Sequence, residues 1–238
     1  MLSMLLFGLL LGMRHAMEAD HVAAVATLAT RGRSIGQTMR LGAVWGLGHT
    51  LTLLLFGGIV LTLDSVMPQQ LAAGLELAVG FMLVVLGLDV LRRMIKERVH
   101  FHVHRHAEDV VHLHAHSHAD EHAPHDPHLH THGHVLGLNL RALFIGMMHG
   151  MAGSAALILL TLETVRSVPL GLAYIVLFGA GSIIGMALLS AIIAVPLRYS
   201  AATLTRVHNG LKALIGGATV ALGAMLIYEI GIVDGLLL

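Results

Sequence analysis

Gly12-Met13-Arg14-His15-Ala16-Met17-Glu18-Ala19-Asp20-His21 places five ionisable side chains inside a run otherwise built from Leu, Met, Ala and Val. Apolar residues fill Met4 to Met13 before it and Val22 to Ala29 after it. At about 1.5 Å per residue the whole segment is long enough to cross about 30 Å of hydrocarbon. An ionisable group at that depth costs a few kcal/mol or more unless it faces a cavity or a partner, so the cluster marks a functional site. Two imidazoles beside carboxylates point to a divalent metal.

The surroundings agree with a bilayer. The chain has 238 residues, 56% hydrophobic and 12% charged, with a mean hydropathy of +0.80. That is too apolar for a soluble core wrapped in polar surface. Its 14 basic and 14 acidic residues balance, so no global field draws nucleic acid, and none is expected as a partner. The absence of cysteine removes disulfides, thiolate metal sites and thiol catalysis together. A metal must therefore bind through imidazole, carboxylate, thioether or backbone. The N-terminus has the hydrophobicity of a signal peptide but no basic leading region, and cleavage after a small residue would cut into the histidine cluster. Retention as the first helix is expected.

Six apolar runs follow: Leu2 to Thr30, Leu41 to Leu63, Leu71 to Leu91, Leu138 to Leu162, Pro169 to Leu197 and Asn209 to Ile230. They lack the two-residue alternation of barrel strands. The expected fold class is all-α, a polytopic membrane helix bundle of six transmembrane helices. Arg31, Arg33, Arg40, Arg92, Arg93, Lys96, Arg98, Arg105, Arg141, Arg198, Arg206 and Lys212 all fall on one side, and the other side holds only Arg166. By the positive-inside rule the rich side is cytoplasmic. Both termini are then expected outside an inner-type cell membrane, with the loop between helices three and four inside. The layout is residues 1–96, a first three-helix unit; 97–137, a cytoplasmic histidine-rich loop; and 138–238, a second three-helix unit.

That loop holds 14 of the 19 histidines: His100, His102, His104, His106, His112, His114, His116, His118, His122, His125, His128, His130, His132 and His134. Low apolar content and interruption by Pro124, Pro127 and Gly133 predict a flexible segment. Imidazoles that are mostly neutral above about pH 6.5 are free to coordinate, so weak, exchangeable binding of Ni, Co, Zn or Cu is expected beside the plainer role of polar linker. No spacing closes a single tetrahedral zinc site.

An internal repeat comes next. Shifted by 134 positions, Gly12-Met13-Arg14-His15-Ala16-Met17 lies over Gly146-Met147-Met148-His149-Gly150-Met151. With small changes of offset, Trp45-Gly46-Leu47-Gly48-His49 falls over Phe178-Gly179-Ala180-Gly181-Ser182, and Gly80 with Gly87 over Gly216 with Gly223. Three helices per half force the second half to cross the membrane in the opposite sense. Such a 3+3 inverted repeat is the build of secondary transporters, with sites near the midplane where the halves meet.

Depth along their helices puts His15, His49 and His149 near mid-membrane. Rotation is harder to reconcile. On a straight helix His15, Glu18 and His21 share a broad face while Asp20 points away from it. Either Asp20 pairs outside the ligand set, or the helix unwinds near Gly12 so that His15, Asp20 and His21 converge; the second is the expectation, discontinuous helices being common at transport sites. The candidate metal residues are thus His15, Glu18, Asp20, His21, His49 and His149. Mixed nitrogen and carboxylate donors suit Ni, Co, Zn or Cu(II) better than Mg or Ca. Met13, Met17, Met147, Met148 and Met151 are expected to fill gaps in packing, and Gly46, Gly48, Gly179 and Gly181 to permit close helix approach. Asp89 is open between an anchoring role and a release path; His208 reads as a loop residue.

Arg14-His15-Ala16-Met17-Glu18-Ala19-Asp20-His21 resembles the His-x4-Asp-His signature of the nickel/cobalt transporter family, and Leu47-Gly48-His49-Thr50 resembles its second histidine motif. The resemblance implies metal recognition by His15, Asp20, His21 and, less directly, His49. Met148-His149-Gly150-Met151-Ala152-Gly153-Ser154 is similar to shorter relatives associated with urease maturation, while the loop is similar to that of histidine-rich efflux members. Here six helices are counted with the signature in the first, where the family usually has eight with the signature in the second. The implied partners are the metal ion, the lipid bilayer, and nickel chaperones or urease and hydrogenase maturation proteins.

The reading is a permease without catalytic residues or a resident cofactor, carrying Ni2+ or Co2+, with Zn2+ also admitted. Direction stays open with a slight lean to uptake. Two other classes remain beside it: an intramembrane zinc-dependent hydrolase using the same ligands around an activated water, and a membrane metal-storage or chaperone protein whose working part is the loop.

Overall fold

The computed structural model describes residues 2–32, 34–63, 68–96, 100–105, 111–116, 139–152 and 167–236. The helices are α1 (Leu2–His15), α2 (Ala19–Ala29), α3 (Ile35–Leu63), α4 (Gln69–Lys96), α5 (residues 139–152), α6 (Val168–Thr203) and α7 (Thr205–Tyr228). A π-helical turn, Glu229–Val233, closes α7. Among the described residues, α3, α4, α6 and α7 with its π-turn are long and apolar enough to cross a membrane. Of the run expected from Leu138 to Leu162, only residues 139–152 are described, and they are helical.

The first apolar run is two helices rather than one. α1 has 14 residues and α2 has 11, so at about 1.5 Å per residue neither alone reaches across about 30 Å of hydrocarbon. Inside the long helices the threonine hydroxyls turn back on their own backbone. Thr50 donates to the Gly46 carbonyl at 2.8 Å, Thr52 to His49 at 2.9 Å and Thr219 to Ile215 at 2.7 Å. A hydroxyl satisfied in this way can lie in an apolar bundle without water.

Glycines let the helices touch backbone to backbone. α6 lies between α1 and α3, and α4 runs along α7. A Cβ on Gly12 would overlap the Phe178 carbonyl oxygen, and one on Gly181 that of Leu9, which fastens α1 to α6. A Cβ on Gly146 would overlap the Trp45 carbonyl, and one on Gly48 that of Leu143, which fastens α5 to α3. Gly80 with Gly223, and Gly87 with Gly216, make the same kind of approach between α4 and α7. Small residues at such crossings maximise van der Waals contact where lipid supplies no hydrophobic drive.

The interior holds Trp45, Phe178, Leu41, Leu83, Ile175 and Met186, together with the polar residues His21, His49 and His149. Phe7, Leu55, Phe81, Val85, Ile192 and Leu214 face outward. A greasy exterior around a polar centre is the arrangement a bilayer solvent favours.

Beyond α2, Arg31 and Arg93 both donate to Asp89 Oδ2, and Arg93 also reaches the Thr30 hydroxyl at 3.3 Å. Arg198 donates to the Gly32 carbonyl. Asp89 thus ties the end of α2 to α4. With Arg31 and Arg93 it also lines a cavity of about 330 Å3, together with Thr27, Leu28, Val85, Phe144 and Arg141 among others.

His208, expected in a loop, lies in the first turns of α7, with Nδ1 3.1 Å from the Leu197 carbonyl and 3.3 Å from the Ser200 hydroxyl. It links α7 to the end of α6, where the chain reverses around Leu204.

The histidine-rich loop also departs from expectation. Its backbone pairs antiparallel over β1 (His100–Arg105) and β2 (Val111–His116), with His100 opposite His116, His102 opposite His114 and His104 opposite His112. The His-x-His spacing matches the two-residue period of a strand. The remaining loop histidines, His106, His118, His122, His125, His128, His130, His132 and His134, lie outside the described residues.

Candidate metal centre

The centre begins where α1 stops. The Met17 N–H donates to the Arg14 carbonyl at 2.9 Å and the Glu18 N–H to His15 at 3.0 Å, each one residue tighter than the α-helical ladder. Glu18 then takes an extended backbone with ψ 149° and α2 starts at Ala19. The interruption covers residues 16–18 and not Gly12, which the close approach to Phe178 keeps inside α1. It resets the helical rotation between His15 at the end of α1 and the Asp20–His21 pair in the first turn of α2, so that His15 and Asp20, which a straight helix would aim apart, both lie beside His21.

Helix ends add fixed partial charges. The last carbonyls of α1 carry partial negative charge beside His15, and the positive N-terminus of α2 is offset by Asp20 in its first turn. The carbonyl end of α1 is the pole that suits a cation.

Carboxylates hold three of the four imidazoles. Asp20 Oδ1 accepts from the His21 backbone N–H at 2.9 Å and faces His21 Nδ1 at 3.0 Å. Asp20 Oδ2 lies 2.8 Å from His149 Nε2. Glu18 Oε2 is 3.0 Å from His15 Nδ1, with its side chain 57% exposed. Among the described residues, His15 Nε2, His21 Nε2, His149 Nδ1, both nitrogens of His49 and the indole Nε1 of Trp45 are buried without a hydrogen-bond partner. Each such orphan costs about 1–3 kcal/mol, and each neutral imidazole keeps one lone pair, so four lone pairs at one place call for an electron-pair acceptor. Histidines that give one nitrogen to a carboxylate and offer the other are arranged as metal ligands are.

The rings are close. His15 and His21 centroids are 4.3 Å apart, His21 and His149 4.2 Å, and His21 and His49 5.2 Å. Ligand atoms within 4.8 Å of one another define two sets, His15 with His21 and His49, and Asp20 with His21 and His149. All six candidates from the sequence thus lie together, five in these sets and Glu18 against His15.

Two walls were missed by sequence reasoning. Trp45 packs 5.4 Å from His21 and 5.5 Å from His149, while Phe178 packs 5.2 Å from His15. Each aromatic stands four residues before the position matched in the repeat, His49 or Ser182, so it shares that residue's helix face. That i, i+4 relation was the available signal. Ser182, the counterpart of His49, donates instead to the Gly12 carbonyl at 3.2 Å. The packing residues Met13 and Met147 stay partly buried beside the centre, and Met17 is exposed.

Comparison with known proteins agrees with this geometry. Residues 1–234 match the NicO family, described as high-affinity nickel-transport protein. The chain belongs to the NicO family. It is also 35% identical over 236 residues to the urease accessory protein UreH of Bacillus sp. (strain TB-90), covering 99% of this chain and 95% of that protein. No solved structure matches. As a NicO member the chain is a multi-pass membrane transporter of divalent metal with Ni2+ as substrate, and it is not an enzyme. The hydrolase and storage readings fall away with that membership.

Proposed function

We propose that this NicO protein carries Ni2+ through the centre described above, with His15, His21 and His49 as the principal ligands. Asp20 and Glu18 orient the rings, and His149 completes the surround. The observation that carries the reading is the group of buried, unsatisfied imidazole nitrogens at the break between α1 and α2. In this reading α1 and α2 form one interrupted crossing, α5 belongs to the fourth, and the six crossings make two inverted halves. The reciprocal glycine contacts support it. Gly12 meets Phe178 as Gly146 meets Trp45, and Gly181 meets Leu9 as Gly48 meets Leu143, the very positions that the sequence repeat aligns.

Co2+ fits the same nitrogen-rich donor set and is proposed as a second substrate, with Zn2+ next. The distribution of arginines supports termini outside and the histidine-rich loop in the cytoplasm. Uptake is the proposed direction, because a relative bears the name of a urease accessory protein, which fits delivery of nickel inward to a urease or its maturation proteins. The loop would buffer the arriving ion through its histidines. Equilibrium Ni2+ binding to protein in nanodiscs tests the site. The intact chain is expected to bind, and His15→Ala, His21→Ala and His49→Ala each to bind at least about tenfold more weakly; unchanged affinity in all three would refute the assignment.

A further inference from the structure

We infer that the centre holds two overlapping cation positions that share His21. The ion moves between them by exchanging His15 and His49 for Asp20 and His149. This rests on the reading of the centre as the nickel site and adds a route within it.

Three observations support two positions over one. First, the candidate ligand atoms divide into two sets, and His21 alone belongs to both. Second, the His49 and His149 rings are 6.3 Å apart, although each lies nearer to His21, at 5.2 Å and 4.2 Å. Third, the two sets differ in chemistry. His49 is fully buried with neither ring nitrogen paired, whereas His149 already has Nε2 on the Asp20 carboxylate. One set is three imidazoles; the other brings a formal negative charge.

The shared ligand makes the exchange physically reasonable. A divalent ion stripped of ligands in a low-dielectric interior is prohibitively costly. With His21 retained throughout, two donors are released as two others are gained, and the ion is never bare. Asp20 has a part in both states. With the ion on the imidazole set it holds His21 Nδ1 and His149; with the ion on the second set its carboxylate becomes a ligand. His149 is then a binding residue for the moving ion and not merely a hydrogen-bond partner of Asp20.

Co2+ is the probe, since its visible absorption reports the ligand set, and radioactive Ni2+ flux into proteoliposomes gives the rate. His149→Gln keeps an N–H near the place of Nε2 for Asp20 but removes the imidazole. The expected result is a Co2+ spectrum like that of the intact chain, affinity within about threefold, and flux lowered about tenfold or more. His49→Gln is expected to replace the intact chain's Co2+ spectrum with that of the Asp20, His21 and His149 set, and to lose the flux. Should His149→Gln alter spectrum and affinity as much as His49→Gln, one four-imidazole position exists and the two-position scheme is wrong, while the nickel site stands. Flux equal to that of the intact chain in His149→Gln overturns it too. Failure of the intact chain to bind either metal would instead remove the site, and the scheme with it. A monodisperse elution profile and unchanged melting temperature establish folding, with His149→Asn as the second variant if Gln is not tolerated.

Discussion

Asp20 Oδ2 lies 2.8 Å from His149 Nε2, joining the first turn of α2 to α5, residues 129 positions apart in the chain. The same carboxylate faces His21 Nδ1 at 3.0 Å. One acidic side chain therefore orients two imidazoles, one on α2 and one on α5, and the interruption at residues 16–18 sets His15 of α1 beside the same His21.

Asp20→Asn keeps the shape of this link but loses its charge and half its acceptor capacity. Loss of an orienting partner of a metal-binding histidine typically costs about 10- to 100-fold in affinity or activity. The variant is expected to fall in that range for Ni2+ affinity in nanodiscs, with its melting temperature little changed.

Gly146→Ala places a methyl group on the Trp45 carbonyl, a backbone atom that cannot swing aside. Over-packing of this kind costs about 1–3 kcal/mol. Thermal melting of the purified protein should show a lowered transition, whereas Gly36→Ala, with nothing within 4 Å of its Cβ position, should be neutral or slightly stabilising.

Much of this was readable from residues 12–21. Charged side chains within an apolar run have few physical explanations, and they predicted both the membrane setting and a metal. The need for an interruption followed from helix rotation, since a straight helix could not bring His15, Asp20 and His21 to one point. Its place did not follow: Gly12 looked like the weak point, but a glycine can serve close packing as well as unwinding, and contact with Phe178 decides between them. That His49 and His149 meet His21 depends on how α3 and α5 cross, which no helical pattern within one segment encodes. Trp45 and Phe178 escaped notice because an aromatic in an apolar helix looks like ordinary packing. The paired strands of the loop were hidden by composition, although His-x-His carries a strand period.

The chain has no cysteine, so single introduced thiols report sidedness cleanly. His118→Cys is expected to react with a membrane-impermeant maleimide only from the cytoplasmic face, and Leu236→Cys only from outside. The reverse pattern would invert the proposed topology.

Deleting residues 100–134 removes the 14 loop histidines and leaves the bundle centre intact. Transport belongs to the bundle, so the deletion is expected to retain Ni2+ flux in proteoliposomes while lowering the number of ions bound per chain. Abolished flux would make the loop an obligatory part of the path.

The most direct test is radioactive Ni2+ flux into proteoliposomes holding the intact chain, compared with His21→Ala. His21 stands in both ligand sets, so its loss is predicted to reduce flux to that of protein-free vesicles while the protein remains folded. Flux in His21→Ala equal to that of the intact chain would contradict the account.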